Sequence, residues 1–409
     1  MNAFFPHSAQ WLVEHQAHHT AEEILHQPRL WRTLYHELRH RQPYWQPFLQ
    51  QLLMKPDLQI ILCGAGSSAF VGKAVAPYLR EIWLAGAKLN DGKLYDGKLY
   101  DGKKYRPDIQ AVASTDIVPV PRQYLDTTKP TLLVSYARSG NSPESTAVIQ
   151  LADSLLADCH HLILTCNPEG ELARYAENRK HVCSLVMPEG TNDRSFAMTS
   201  SFSCMAMATL LLLGDRTFDI AKQKSALEKV AALCETQAPD WQPLIQRIIG
   251  LGFKRMIALG SPGFAGIAEE GALKMLELTA GRIATRYDSC MGVRHGPKFM
   301  IDHHTLVVVM LSADPHCRHY DIDLLNELRR DGLAKQIIVL TSLPHPESLE
   351  IPADLSDSWL LFPYLLFFQV LGFETSLALG LTPDNPCPTG EVNRVVKGVQ
   401  IYPYTQSEQ

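Results

Sequence analysis

From Leu58 onward the chain alternates short apolar runs with stretches of helical periodicity, and this alternation constrains the fold more than any other feature. The runs are "LQIILCG" (58–64), "IQAVAS", "TLLVSYA", "HLILTC" and "VCSLVM", then "RMIALG", "TLVVVML", "QIIVLT" and "SWLLF". Runs apolar on both faces and separated by helices are strands of a parallel sheet covered on both sides. One unit is written twice, since "IILCGAGSS", "TLLVSYARSG" and "LILTCNPEG" find counterparts in "MIALGSPGF", "LVVVMLSAD" and "IIVLTSLPH". A tandem duplication of an α/β domain is therefore predicted, over 51–215 and 251–390, joined by a helical linker over 216–250. Residues 1–50 read as a helical extension, with Thr20 and Glu23 spaced as a capping box, and 391–409 as a C-terminal tail.

The 409 residues, 46% of them hydrophobic, supply cores for two or three domains. A formal net charge of −5 leaves no basic footprint for nucleic acid or an acidic membrane surface. The nine cysteines are scattered without a C-x-x-C pair, as reduced thiols of a cytoplasmic protein would be. The N-terminus lacks the order of a signal peptide. Two apolar segments, 195–214 and "WLLFPYLLFFQVLGF", are predicted to be buried helices rather than membrane spans. The threefold pentapeptide "DGKLYDGKLYDGKKY" (91–105) is either a binding hairpin or, as three copies are too few for a solenoid, a surface insertion.

The motif with the most chemistry is "SYARSGNSPES" (135–145), where a strand hands over to a helix. Ser139, Gly140, Asn141 and Ser142 line that junction, and Pro143 fits the first helical position. Unsatisfied N–H groups at a helix start, with serine hydroxyls beside them, make a phosphate cradle; ordinary N-capping needs only one serine. The second copy has Ser-Ala-Asp-Pro there, so an anion site is expected in the first copy only. "GAGSSA" (64–69) also satisfies the dinucleotide pattern G-x-G-x-x-[GA], but the second strand does not end in the acidic residue that a nicotinamide site needs.

In the second copy Glu270, Lys274 and Glu277 fall at i, i+4 and i+7 on one helix face. Periodicity alone reads this as a solvated charge stripe. His295, fixed by the Gly296-Pro297 turn that follows it, is a candidate for acid/base work. His303 and His304 lack a ligand partner at helical spacing, so no metal site is expected.

Taken together, these motifs resemble the sugar isomerase (SIS) family, whose members carry one or two flavodoxin-like domains that bind phosphosugars. "CGAGSS", "SYARSGNSPES", "LTCNPEG" and "TSSF" look like the phosphosugar half; "EEGALKMLELTAG", "RHGPKFMID" and "NRVVKGV" look like the isomerase domain of glucosamine-6-phosphate synthase. Within the family, "TAEEILHQPRLW", "TNDRSFAMTSSF" and "DNPCPTGEVNRVV" look most like the branch that deaminates and isomerises galactosamine 6-phosphate. No glutaminase half precedes the first strand, which favours the deaminating direction.

The resemblance implies three catalytic residues: Glu277 as the base, His295 as the ring-opening acid, and Lys397. It places substrate and phosphate on Ser67, Ser68, Arg138, Ser139, Asn141, Ser142, Thr199 and Ser200. Ala137 and Arg138 depart from the Ser and Gln of the synthase loop, so Arg138 either adds a cation to the phosphate site or packs outside it. The implied reaction takes galactosamine 6-phosphate and water to tagatose 6-phosphate and ammonia, with no cofactor and no metal. The alternatives are a plain aldose/ketose isomerase and a phosphosugar-sensing regulator; the N-terminal residues lack a basic recognition helix for the latter. A homodimer or larger assembly is implied, with "WLLFPYLLFFQVLGF" offering apolar surface for packing.

Overall fold

The computed structural model of the chain describes residues 6–85, 93–94, 98–99, 106–345, 349–351, 354–396 and 398–405. Two five-stranded sheets carry the architecture. The first contains β1 (Gln59–Gly64), β2 (Asp108–Ala113), β3 (Thr131–Ala137), β4 (Cys159–Thr165) and β5 (Val182–Val186) in the order β2-β1-β3-β4-β5. The second contains β6 (Arg255–Gly260), β7 (Ala284–Asp288), β8 (Thr305–Met310), β9 (Gln336–Thr341) and β10 (Leu349–Glu350) in the order β10-β9-β8-β6-β7. Every pairing within them is parallel. Read from the other edge, the second order repeats the first strand for strand, and both are the flavodoxin order 2-1-3-4-5. The duplication seen in the sequence is thus a duplication of topology.

The central strands form because their apolar residues are buried on both faces: every residue of β1, β3, β6 except Arg255, and β8 is buried. Equivalent positions build equivalent cores, Ile61, Leu133 and Ile163 in the first copy and Ile257, Val307, Val309 and Val339 in the second. In this strand order the direction of winding reverses between β1 and β3, and between β6 and β8, which is where such sheets bind ligands beyond the carboxyl ends of their strands.

The chain divides into two compact units that cut across the expected boundaries. One comprises the chain up to Thr33, Asp193–Ser203 and Lys222–Arg394; the other comprises Leu34–Asn192, Cys204–Ala221 and the chain from Val395. The N-terminal helices are therefore divided between the units, Ala9–Glu14 and His18–Leu25 in one and Gln42–Leu53 in the other. Thr20 lies inside the His18–Leu25 helix, and the expected capping box does not form. Instead Asp384 accepts hydrogen bonds from the N–H groups of His19 and Thr20 and from the Thr20 hydroxyl.

The apolar helices Ser200–Leu213 and Asp357–Ala378 are buried, as expected. "SWLLF" opens the second of these helices and is not a strand. Trp359 to Ser376 are all buried, so this segment presents no apolar surface for a partner subunit. All nine cysteines are free. Of the pentapeptide insertion, residues 93–94 and 98–99 pair as short antiparallel strands, and the rest lies outside the described residues.

Candidate active site

In the unit containing the first sheet, the loop after β3 has the geometry that a phosphate cradle requires. Gly140 adopts φ +68°, and a Cβ there would meet Thr165 Oγ1 at 3.3 Å and Gly170 Cα at 3.4 Å. A Cβ on Gly170 would sit 2.6 Å from the Ser139 carbonyl. The loops after β3 and β4 therefore approach backbone to backbone, which only glycine permits. Asn167 Nδ2 donates to the Ser139 carbonyl at 2.9 Å, and the Glu171 N–H donates to Asn141 Oδ1 at 2.9 Å. Asn141 thus acts as a brace between loops, with its amide oxygen engaged.

The helix Pro143–Leu155 starts at this loop, with Ser142 at its N-cap. Ser142 makes no side-chain bond to the helix end; its hydroxyl pairs with Ser145 Oγ at 2.6 Å. The helix start therefore keeps its partial positive charge without an internal cap. The Ser139 hydroxyl accepts from Asn141 N–H at 3.3 Å, which leaves its own proton to donate. Arg138 is buried at 7% exposure rather than standing on the surface. Ser67 and Ser68 begin the helix after β1 and are also buried.

The second copy fills the corresponding cradle with its own carboxylates. Asp357 accepts from the Ser312 hydroxyl at 2.5 Å and from Ala313 N–H at 2.7 Å. Asp321 accepts from Ser312 N–H at 2.9 Å and from the Ser261 hydroxyl. Burial pushes both carboxyls above their ordinary values, while these hydrogen bonds pull the other way. A loop whose donors already hold two internal carboxylates has none left for a phosphate. The two loops thus differ in what their donors hold: those at Ser312 and Ala313 are engaged by Asp321 and Asp357.

The helix Ala265–Leu278 carries the charged stripe, and the stripe is not solvated. Glu270 and Lys274 are fully buried, and only Glu277 reaches solvent, with 24% of its side chain exposed. Lys274 Nζ lies 2.5 Å from Glu277 Oε2 and 3.3 Å from Glu270 Oε1. Burial opposes the ammonium charge, yet the two carboxylates more than offset it and hold Lys274 above its ordinary value. The Lys274 ammonium beneath Glu277 holds that side chain in place through a short ion pair, the positioning a base requires. Gly271 lets this helix approach Asp357–Ala378, since a Cβ there would come within 2.5 Å of Phe368 Cγ.

His295 ends a short 3₁₀ turn, Gly292–Arg294, and is exposed; Gly296 follows it at φ +117°. No hydrogen bond joins it to Glu277 among the described residues. Lys397 lies outside the described residues. Thr199 and Ser200 are fully buried, and their hydroxyls and N–H groups all donate to Asp193. Neither keeps a donor for phosphate, so their placement is structural. Ser201 also donates to Asp193 through both groups. His303 and His304 are exposed neighbours with ring centroids 3.9 Å apart.

Sequence reasoning missed Asp193 and Arg394 in this region and gave Glu23 another role, the capping box. Arg394 donates to the Asp193 carbonyl and anchors the tail segment just before Lys397. Glu23 accepts from Arg194 N–H and from the N–H and hydroxyl of Ser195. The segments "TAEEILHQPRLW", "TNDRSFAMTSSF" and "DNPCPTGEVNRVV" are therefore one hydrogen-bonded assembly around Asp193, Glu23 and Asp384.

Two flavodoxin-order sheets in tandem, one ending in a hydroxyl loop and the other followed by a helix with a lysine-backed glutamate, define a phosphosugar isomerase (SIS) protein. No family model matches the chain. It is 39% identical over 401 residues to D-galactosamine-6-phosphate deaminase AgaS of Shewanella sp. (strain ANA-3), covering 98% of this chain and 95% of the relative. It is 40% identical over 397 residues to the Escherichia coli protein of the same name, covering 94% and 96%. The chain belongs to the AgaS family.

Its fold matches that of a tagatose-6-phosphate ketose/aldose isomerase from Escherichia coli with a TM-score of 0.81 at 36% identity, covering 95% of this chain and 97% of the other. The C-terminal domain of glucosamine-fructose-6-phosphate aminotransferase from Francisella tularensis matches at 0.71 with 18% identity, over 90% and 98% of the two chains, and shares the fold.

Proposed function

We propose that the protein converts D-galactosamine 6-phosphate and water to D-tagatose 6-phosphate and ammonia. The observation that carries this reading is the buried Lys274 paired with the partly exposed Glu277, in a chain about 40% identical to proteins named for that deamination. The loop 139–142 takes the phosphate, and that remote grip supplies binding energy that positions the reacting carbons. His295 protonates the ring oxygen and opens the pyranose. Glu277 removes the C2 proton to give an enolamine and returns it at C1. The resulting C2 imine takes up water and releases ammonia, leaving the ketose. Lys397 stabilises negative charge as it develops. The chemistry calls on no cofactor and no metal.

A plain aldose/ketose isomerase is the second reading, favoured by the name of the 36% identical Escherichia coli structure. Ring opening and the proton shift are common to both, so the fate of the C2 substituent separates them. The experiment offers galactosamine 6-phosphate, glucosamine 6-phosphate, N-acetylgalactosamine 6-phosphate and galactose 6-phosphate, and follows ammonium and ketose together. Ammonium and ketose in equal amounts from galactosamine 6-phosphate support the deaminase. Ketose from galactose 6-phosphate, with no ammonium from either amino sugar, makes it a plain isomerase. A cytoplasmic homodimer or larger assembly completes the proposal, supported by the nine free cysteines and by the resemblance to SIS proteins that build their pockets across subunits.

A further inference from the structure

At the amino end of β4, opposite the phosphate loop, three side chains from two elements converge. Cys159 and His161 alternate on the strand and so share one face of the sheet, while Asp153 comes from the last turn of the helix Pro143–Leu155. His161 Nε2 lies 2.9 Å from Asp153 Oδ1 and 3.5 Å from Cys159 Sγ, and all three ligand atoms fall within 4.8 Å of one another. We infer that Asp153, Cys159 and His161 form a site for a divalent transition metal of the zinc class, separate from the catalytic machinery.

The geometry is close to what a tetrahedral ion demands. Bonds of about 2.0–2.3 Å to N, O and S place ligand atoms roughly 3.3–3.6 Å apart; the His161–Cys159 and His161–Asp153 separations of 3.5 and 2.9 Å lie within about half an ångström of that range, and Asp153 and Cys159 are no more than 4.8 Å apart. The donor set is borderline-soft, which suits zinc and not magnesium or calcium. Two anionic ligands and a neutral imidazole balance the charge of a dication, so the loaded site is neutral at its buried end. Asp153 is already held for the role, because the Tyr175 hydroxyl donates to its second oxygen and leaves Oδ1 facing His161. Its side chain is one-third exposed, which provides an entry path, whereas His161 is fully buried. A thiolate ligand forms only as the metal displaces its proton: the S–H bond breaks, the S–metal bond forms and H⁺ leaves to solvent.

One feature sets the affinity. His161 Nδ1 is buried with no hydrogen-bond partner among the described residues. When Nε2 binds the ion, Nδ1 carries the ring proton without an acceptor, and a missing outer partner of that kind typically costs roughly 10–100-fold in affinity. The site is accordingly one of three protein ligands and moderate strength. It lies about 20 Å from the phosphate loop along β4, at ~3.3 Å per residue, so the metal supports the fold and takes no part in turnover.

The test uses the full chain stripped with a chelator and titrated with Co²⁺ as a spectroscopic stand-in for Zn²⁺. The expected result is one equivalent giving thiolate-to-cobalt charge-transfer absorption together with the intense visible bands of a four-coordinate ion. Cys159→Ser should lose the charge-transfer band, and Asp153→Asn should weaken binding on the order of tenfold or more. Zn²⁺ should raise the unfolding temperature of the unaltered protein and not of Cys159→Ser, with sugar-phosphate turnover equal in both. The cluster His18, His19 and Glu22 contains no thiol, so Co²⁺ bound there gives no such band. Absence of the band in the unaltered protein, or its survival in Cys159→Ser, overturns the inference. If Cys159→Ser does not fold, undiminished Co²⁺ affinity in Asp153→Asn overturns it equally.

Discussion

Lys274 Nζ lies 2.5 Å from Glu277 Oε2, and the lysine itself has no exposure to solvent. Its charge is balanced by Glu277 on one side and the fully buried Glu270 on the other. Removing the ammonium leaves Glu270 as an uncompensated buried carboxylate, a change that costs on the order of 3–5 kcal/mol. Lys274→Met should therefore lower stability by about that amount in urea unfolding. Lys274→Met with Glu270→Gln should recover most of the loss, yet remain inactive because Glu277 is no longer oriented. Full recovery of turnover in the double variant would show that Lys274 serves the fold alone.

Glu277→Gln separates chemistry from binding. The amide keeps the shape and its oxygen still accepts from Lys274, but it takes no proton. Exchange of the C2 proton of the sugar phosphate with solvent deuterium should stop, while calorimetry still detects ligand binding. Exchange at the normal rate in this variant would remove Glu277 from the role of base.

The two hydroxyl loops make opposite predictions. Ser139→Ala with Ser142→Ala should raise the Kd for a sugar phosphate on the order of tenfold or more, a charge-assisted hydrogen bond being worth ~1.5–3 kcal/mol. Ser312→Ala in the second copy should leave that Kd unchanged. It should instead destabilise the fold by about 1–3 kcal/mol, because buried Asp357 loses the Ser312 hydroxyl as a donor, while Asp321 keeps the N–H of residue 312. Equal effects of the two changes on binding would mean that both copies hold phosphate.

The central strands were legible because both of their faces are buried, so their apolar runs are continuous. The strand Ala284–Asp288 was not, because at the sheet edge none of its residues is buried and its sequence "ATRYD" carries no apolar run. "SWLLF" was misread for the opposite reason: the helix it opens is buried on all sides, and an all-apolar segment shows neither a period of 3.6 nor one of 2. The charged stripe on Ala265–Leu278 has the spacing of a solvated face, and spacing does not report burial. The carboxylates of Asp193, Glu23, Asp384 and Asp357 act across gaps of up to hundreds of residues, so no local pattern marks them. Thr199 and Ser200 illustrate the consequence, since their small hydroxyls suit a phosphate but serve Asp193.

Glu23 gives the protein a pH-dependent stability with a definite sign. Burial, with the nearby negative charge of Asp193 adding to it, raises its carboxyl from an ordinary value of 4.5 to about 8, although hydrogen bonds from Ser195 and Arg194 pull it down. Below pH 4.5 the group is protonated whether the chain is folded or unfolded, and its contribution is fully present. Between there and about pH 8 the unfolded chain releases the proton while the folded chain retains it, so stability falls as pH rises, and beyond about 8 no further loss comes from this group. Glu23→Gln keeps an acceptor for the backbone of residues 194 and 195 and cannot ionise. Its melting temperature should therefore decline less steeply between pH 5 and 8 than that of the unaltered protein, with the larger difference at the upper end. Glu23→Ala should instead lose about 1–3 kcal/mol at every pH, because the Arg194 and Ser195 donors are left unpaired in a buried place. Parallel pH profiles for Glu23→Gln and the unaltered protein would show that Glu23 ionises alike in the folded and unfolded chain.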